Sequence, residues 1–195
     1  MTPQTQPWKS ICGSKKTART SLREPWINLR GSRSNSSIAA SALGSDARTV
    51  QAVLFDKTAA RNWALGWHQD RTILVEHHAD IDGFGPWTVK AGLNQVEPPF
   101  AIPERMVTIR VHLDPVDTTN APLRIVPGSH RLGRLREASI EHIVEDRGEP
   151  LCLANRGDVC FYATTGAANP PRRRRVLQID YAVIDLPKPV RWHGL

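Results

Sequence analysis

The sequence lacks long apolar runs and has only three cysteines. No stretch approaches the roughly 20 apolar residues of a membrane-spanning helix, so we expect no membrane association. No apolar stretch follows the first charges, and a secretory signal is therefore not expected. Cys12, Cys152 and Cys160 have neither paired nor zinc-type spacing. An odd, scattered count favours a reducing, cytoplasmic environment.

The positive charge of the chain is concentrated at one end. The net charge is +7, and residues 1–45 contain seven Lys or Arg against one acid, Glu24, which gives +6. The other 150 residues therefore carry +1 (7 minus 6). A nucleic-acid groove needs positive charge clustered on the folded body, so we expect no nucleic-acid partner.

Composition divides the chain into two parts. Residues 1–45 are rich in Ser, Thr, Arg and Lys and show no sustained periodicity, which predicts a basic, poorly ordered segment with one short helix near Ile38–Leu43. Residues 46–195 form the predicted domain. There, short β-rich stretches such as "TVQAVLFDK", "MVTIRVHLDPV", "GDVCFYATT" and "RRRRVLQIDYAVIDL" alternate with turns that contain Gly, Pro or Asn. This pattern favours a mainly β sandwich or jelly-roll, with one helix around Ala138–Arg147.

The stretch "GWHQDRTILV" carries the main chemical signal. On a strand, residues two apart lie on the same face, so His68 and Asp70 would project together. One imidazole and one carboxylate supply two of the three ligands of the facial triad that binds non-haem Fe(II). The pair His112 and Asp114 has the same spacing, so spacing alone leaves both pairs open.

The order of motifs distinguishes the two pairs. "WHQD", "GPWTVKAG", "PGSHRLG" and "RRRRVLQIDYA" occur in an order that resembles the phytanoyl-CoA dioxygenase family, over roughly Val50 to Trp192. The resemblance implies a double-stranded β-helix (a cupin-like jelly-roll) with a few flanking helices. It also implies Fe(II), 2-oxoglutarate as cosubstrate, and hydroxylation of a small organic substrate. It assigns His68 and Asp70 to the metal, and it gives His112 and Asp114 a structural hydrogen-bonding role.

The resemblance also implies a cosubstrate pocket. An arginine at the start of the last strand would bind the far carboxylate of 2-oxoglutarate, because a guanidinium pairs bidentately with a carboxylate. Strand parity and the family pattern favour Arg174, and Arg175 remains an alternative. Gln51, Lys57 and Trp87 occupy positions that line the pocket in family members. Core packing is an equally good interpretation of Trp87.

One expected ligand is missing. The second histidine of the family lies on the strand before this arginine, yet residues 157–175 contain no histidine, and none occurs between His142 and His193. Tyr162, His193, His142 in the predicted helix, and the loop residues His77 and His78 are possible substitutes, but none has the expected strand position. The sequence therefore leaves two hypotheses: an active dioxygenase with an unrecognised third ligand, or a degenerate member that acts as a binding domain or has no function. It carries no signal for oligomeric state.

Overall fold

The computed structural model describes residues 35–58, 60, 65–162, 164–167 and 172–194. Within these residues it contains two helices and eleven strands in three sheets. The helices are α1 (Asn35–Leu43) and α2 (Glu137–Arg147). The strands are β1 (Arg48–Lys57), β2 (Leu65–Gln69), β3 (Ile73–Val75), β4 (Trp87–Lys90), β5 (Leu93–Val96), β6 (Met106–His112), β7 (Leu123–Ile125), β8 (Leu151–Cys152), β9 (Val159–Tyr162), β10 (Thr164–Ala167) and β11 (Arg174–Ala182).

The strands form two facing antiparallel sheets and a small third one. The first sheet has the order β1-β11-β6-β9, and the second has the order β2-β10-β7-β8. The chain crosses between these two sheets at β1 to β2, at β6 to β7, at β8 to β9, at β9 to β10 and at β10 to β11. This alternation is the topology of a jelly-roll, and the predicted fold class is confirmed. The third sheet, β3-β5-β4, is inserted after β2.

The two faces of the first sheet differ in polarity, because apolar and polar residues alternate along its strands. In β6, Val107 and Ile109 alternate with Thr108 and Arg110, so one face is apolar and the other polar. The apolar face packs against Ile38 of α1. The polar face therefore lies on the opposite side of the sheet, toward β2, β10, β7 and β8.

The helix predicted near Ile38–Leu43 is present as α1 and packs on the first sheet through Ile38 and Ala39. It ends where Gly44 adopts a φ of 99° and its amide bonds back to the Ala40 carbonyl, a common C-terminal cap. The expectation of poor order for residues 1–34 lies outside the described residues. The boundary between residues 45 and 46 stays a prediction.

Other elements match the sequence patterns unevenly. The helix predicted at Ala138–Arg147 is present as α2. The short strands β4, β5 and β8 were not predicted. Of the helices in the described residues, none is long and apolar enough to cross a membrane.

A core substitution tests the packing of α1 on the first sheet. Ile109 is fully buried in the cluster with Ile38, whereas Leu54 on β1 is 57% exposed. We expect Ile109→Ala to lower the free energy of unfolding by about 2–4 kcal/mol, because it removes methyl groups and leaves a cavity. The matched Leu54→Ala change should cost roughly 0.5 kcal/mol or less. Urea denaturation measures both, and equal losses would contradict this placement of the core.

Candidate metal and cosubstrate site

His68 and Asp70 come together at the end of β2. His68 lies within the strand and Asp70 follows its last residue. The His68 Nε2 and Asp70 Oδ1 atoms are 3.2 Å apart. The Nδ1 atom lies 2.8 Å from the Gly66 carbonyl oxygen, to which it donates when protonated. The hydrogen bond with Asp70 raises the pKa of His68, and the Gly66 carbonyl adds to this effect.

This geometry fits two ligands of one metal ion. A ligating histidine usually donates its other ring N–H to a carbonyl or carboxylate, as Nδ1 does to Gly66 here. Two ligand atoms about 2.1 Å from an ion and at right angles to each other lie about 3.0 Å apart. The observed 3.2 Å between Nε2 and Oδ1 is close to that value. A divalent cation could therefore replace the proton shared by the two side chains with little rearrangement.

The described side chains do not complete the triad. No group of three or more His, Cys, Asp or Glu suited to a metal occurs in the part of the chain that the structure describes. On β10, the strand expected to carry the missing histidine, Thr165 pairs directly with His68. The site therefore fits two of the three ligands that a facial triad needs.

The possible substitutes for the third ligand lie elsewhere. His142 is exposed on α2. His77 and His78 are exposed and contact their near neighbours Glu76 and Asp80, respectively. His193 is exposed, and its amide bonds to the Leu74 carbonyl beside the third sheet. The side chain of Tyr162 lies outside the described part of the structure.

Two interior residues that the sequence analysis missed lie close to the His68–Asp70 pair. Asp180 on β11 is buried and accepts a hydrogen bond of 2.7 Å from the Thr108 hydroxyl. Burial raises the pKa of Asp180 to about 6, and the negative charge of Asp70 contributes. Arg110 on β6 opposes the rise in the His68 pKa by its charge. Strand parity could have found both residues, since they share the polar face of the first sheet.

The two candidate arginines lie on opposite faces of the first sheet. Arg174 is buried, at 4% exposure, on the inner face with Val176 and Gln178, and its Nη1 donates to the Ala121 carbonyl. Arg175 lies on the outer face and pairs with both carboxylate oxygens of Asp114, at 2.8 and 2.9 Å. Only Arg174 therefore faces the interior.

Lys57 brings a second buried cation next to Arg174. The two residues pair directly across β1 and β11, and Lys57 is 2% exposed. Burial lowers the pKa of Lys57, and together with the positive charges of Arg174 and Arg110 it brings this pKa to about 8. Gln51, further along the same face of β1, pairs with Asp180. This part of the interior concentrates positive charge, which suits a small carboxylate ligand.

The remaining arginines of the "RRRR" run make outward ion pairs. Arg172 contacts Asp117 at 2.6 Å, and Arg173 contacts Asp56 through two bonds of 2.7 and 2.9 Å. With Arg175 bound to Asp114, the outward charges of the run are balanced. The three outward arginines of the run therefore carry paired rather than isolated positive charges.

Two further sequence expectations have different outcomes. Asp114 has the structural role expected of it, because it anchors Arg175. His112 is buried, but neither ring nitrogen has a hydrogen-bond partner of standard geometry among the described side chains. Trp87 lies on the third sheet, where it packs against a buried apolar cluster, and its ring centroid is 4.4 Å from that of His78 in an edge-on arrangement.

Comparison with known proteins gives one family and several similar folds. The sequence profile described as phytanoyl-CoA dioxygenase (PhyH) matches residues 13–165, more than three quarters of the chain. EctD from S. alaskensis with 2-oxoglutarate and 5-hydroxyectoine is 21% identical, with a TM-score of 0.56 over 82% of this chain. The non-heme alpha ketoglutarate dependent carbocyclase SnoK from nogalamycin biosynthesis is 18% identical, with a TM-score of 0.53 over 82% of this chain.

The chain is shorter than these proteins. It covers 52% of the EctD chain, 58% of the SnoK chain and 30% of the chain of EvdMO1, another similar structure. At such low identities the structural likeness shows the fold. No curated protein sequence matches the chain.

Replacing the buried lysine should stabilise the protein. The unfolded chain keeps the ordinary pKa of Lys57, near 10.5, whereas the folded value is about 8, so at pH 7 folding holds a charge that burial disfavours. We expect Lys57→Met to raise the free energy of unfolding at pH 7 by roughly 1–3 kcal/mol. Between pH 8 and 10.5 the wild type should gain stability, because only its unfolded state still binds the proton, and the difference should shrink.

Denaturation at pH 7 and at pH 10 measures this effect. Lys90→Met is the matched control, since Lys90 on β4 is exposed, and it should leave stability nearly unchanged. A Lys57→Met variant that is less stable than wild type at pH 7 would contradict the prediction.

Proposed function

The chain belongs to the phytanoyl-CoA dioxygenase family, and on that premise we propose that it is an Fe(II)- and 2-oxoglutarate-dependent dioxygenase that hydroxylates a small organic substrate. The observation that carries the proposal is the convergence of His68 Nε2 and Asp70 Oδ1 at the end of β2. Both atoms are donors of the kind that Fe(II) takes in a facial triad. The chain is similar in structure to EctD with 2-oxoglutarate and to SnoK, which is described as alpha ketoglutarate dependent. This likeness supports 2-oxoglutarate as the cosubstrate.

The proposal gives each interior group a role. His68 and Asp70 bind the metal. Arg174 pairs with the far carboxylate of 2-oxoglutarate, for which a buried guanidinium is well suited. Lys57 adds a second positive charge beside Arg174. Gln51, on the same inner face, and Trp87, on the third sheet, remain candidates for lining the pocket.

A second candidate function follows from β10. Because Thr165 occupies the position across from His68, the family's distal histidine has no counterpart there. A site with two protein ligands binds metal more weakly and constrains its geometry less. The alternative proposal is therefore a catalytically impaired member that binds metal or carboxylate ligands weakly and turns over little or no cosubstrate.

Restoring a histidine on β10 tests the metal site. Directly paired positions of an antiparallel ladder share a face, so a histidine at position 165 would lie on the same face as His68. We expect wild type to bind Mn(II) weakly, His68→Ala to lose binding, and Thr165→His to bind about tenfold more tightly or better. Titration monitored by electron paramagnetic resonance gives the affinities, and succinate release from 2-oxoglutarate gives the turnover.

The outcomes separate the two proposals. Substantial succinate release by wild type that His68→Ala abolishes would mean that a third ligand exists, and it would overturn the impaired alternative. Release only by Thr165→His would support the alternative. No gain in Mn(II) affinity in Thr165→His would contradict the assignment of His68 and Asp70 as the metal site.

The two neighbouring arginines form a matched pair for the cosubstrate. We expect Arg174→Gln to weaken 2-oxoglutarate binding at least tenfold, since it removes a buried charge-assisted contact. Arg175→Gln removes an outward ion pair with Asp114 and should leave binding within about twofold. Isothermal titration of each purified variant checks this. A larger loss in Arg175→Gln would reverse the assignment.

A further inference from the structure

Two cysteines face each other between the two main sheets. Cys152 lies on β8 of the second sheet and Cys160 on β9 of the first, and each is 1% exposed. They share one buried cluster with Leu123 and Ile125. Both are thiols in this structure, and a hydrogen bond joins them. Their side chains thus already meet across the interface between the sheets.

A buried histidine accompanies this pair. His112 is 2% exposed, and its ring lies close enough to the Cys160 thiol to lower the pKa of that thiol. Neither ring nitrogen has a well-aligned hydrogen bond with any side chain that the structure describes. A buried polar atom without a partner is unfavourable. Accepting a proton from Cys160 would turn this neighbour into an ion-pair partner of the thiolate.

The electrostatic surroundings favour the thiolate at Cys160. The hydrogen bond from Cys152 and the approach of His112 lower the pKa of the Cys160 thiol, against burial and the negative charge of Asp158. Arg110 is its paired neighbour on β6 and adds a further positive charge nearby. The thiolate is the form of cysteine that reacts with peroxides and disulfides.

We propose that Cys152 and Cys160 form an oxidisable pair whose disulfide would join the two sheets, with His112 as the acceptor of the thiol proton. The oxidant is a small peroxide such as hydrogen peroxide, because the thiols are too buried for a bulky reagent. A disulfide between facing sheets is a stable arrangement, as in the immunoglobulin sandwich. The inference stands independently of the proposed dioxygenase activity.

The reaction balances with one peroxide. His112 takes the proton of Cys160, and the thiolate attacks one peroxide oxygen. The O–O bond breaks, the leaving hydroxide takes the proton back from His112 as water, and Cys160 becomes a sulfenic acid. The thiol of Cys152 then attacks that sulfur, the S–O bond breaks, and a second water leaves. Two thiols lose two electrons and one peroxide gains them.

The test uses the full chain with Cys12→Ser, so that Cys152 and Cys160 are its only thiols. After treatment with hydrogen peroxide we expect the mass of two hydrogens to be lost, a peptide that links Cys152 to Cys160, and recovery of both thiols with dithiothreitol. In Cys152→Ser, or in Cys152→Ala if the serine variant does not fold, Cys160 should instead give a sulfenic acid, which dimedone traps when the oxidised protein is unfolded in its presence. Unchanged thiols, or sulfinic acid without the linked peptide, would overturn the proposal.

The pH dependence of the oxidation rate tests His112 separately. If Cys160 is a thiolate above pH 6, the rate should be nearly constant between pH 6 and 8. In His112→Gln the rate should rise with pH over this range, because the thiol pKa is higher without the neighbouring imidazole. The same flat profile in both proteins would remove His112 from the proposal, while a linked peptide in both would keep the disulfide.

Discussion

The placement of β11 between β1 and β6 is the constraint on which the rest of the site depends. β11 is hydrogen-bonded to β1 on one side and to β6 on the other. Its side chains alternate between the two faces of the sheet, and the register therefore fixes which side chains of β1 and β6 share each face with them. Arg174 is thereby placed beside Lys57, and Asp180 beside Gln51 and Thr108. The opposite face packs under α1 through Tyr181. β11 thus has an apolar core on one face and a small charged interior on the other.

Burying charged side chains in this interior lowers the stability of the protein, and this unfavourable burial indicates a ligand site. Lys57, Arg174 and Asp180 are all buried, and burial disfavours their charged forms. An apolar interior of the same size would be more stable in isolation. Shifted pKa values of buried groups, such as those of Lys57 and Asp180, are a usual sign of a ligand site. The same reasoning applies to Cys160, which lies on the inner face but outside the proposed dioxygenase site.

The sequence predicts a structural feature well where its hydrophobic pattern is long and regular. Long alternating stretches such as β6 and β11 were evident from sequence, and with them the inner position of Arg174. The short strand β8 and the third sheet were not, because strands of two to four residues give no period to detect. Asp180 and the Cys152–Cys160 contact depend on which strands face each other, and spacing along the chain does not encode that. Thr165 beside His68 needed both the motif and the register.

The outward arginines have a consequence for the register of β11. Four consecutive arginines are locally equivalent, and a slip by one residue would exchange the faces of Arg174 and Arg175. Arg172, Arg173 and Arg175 each pair with a different acid. Their partners are Asp117, Asp56 and Asp114, respectively, of which Asp56 lies on β1 and the other two lie in the segment after β6. A slipped strand would break all three contacts together. These ion pairs, each weak in itself, together fix the register of β11. They thereby determine which of the four arginine side chains points into the interior between the two main sheets.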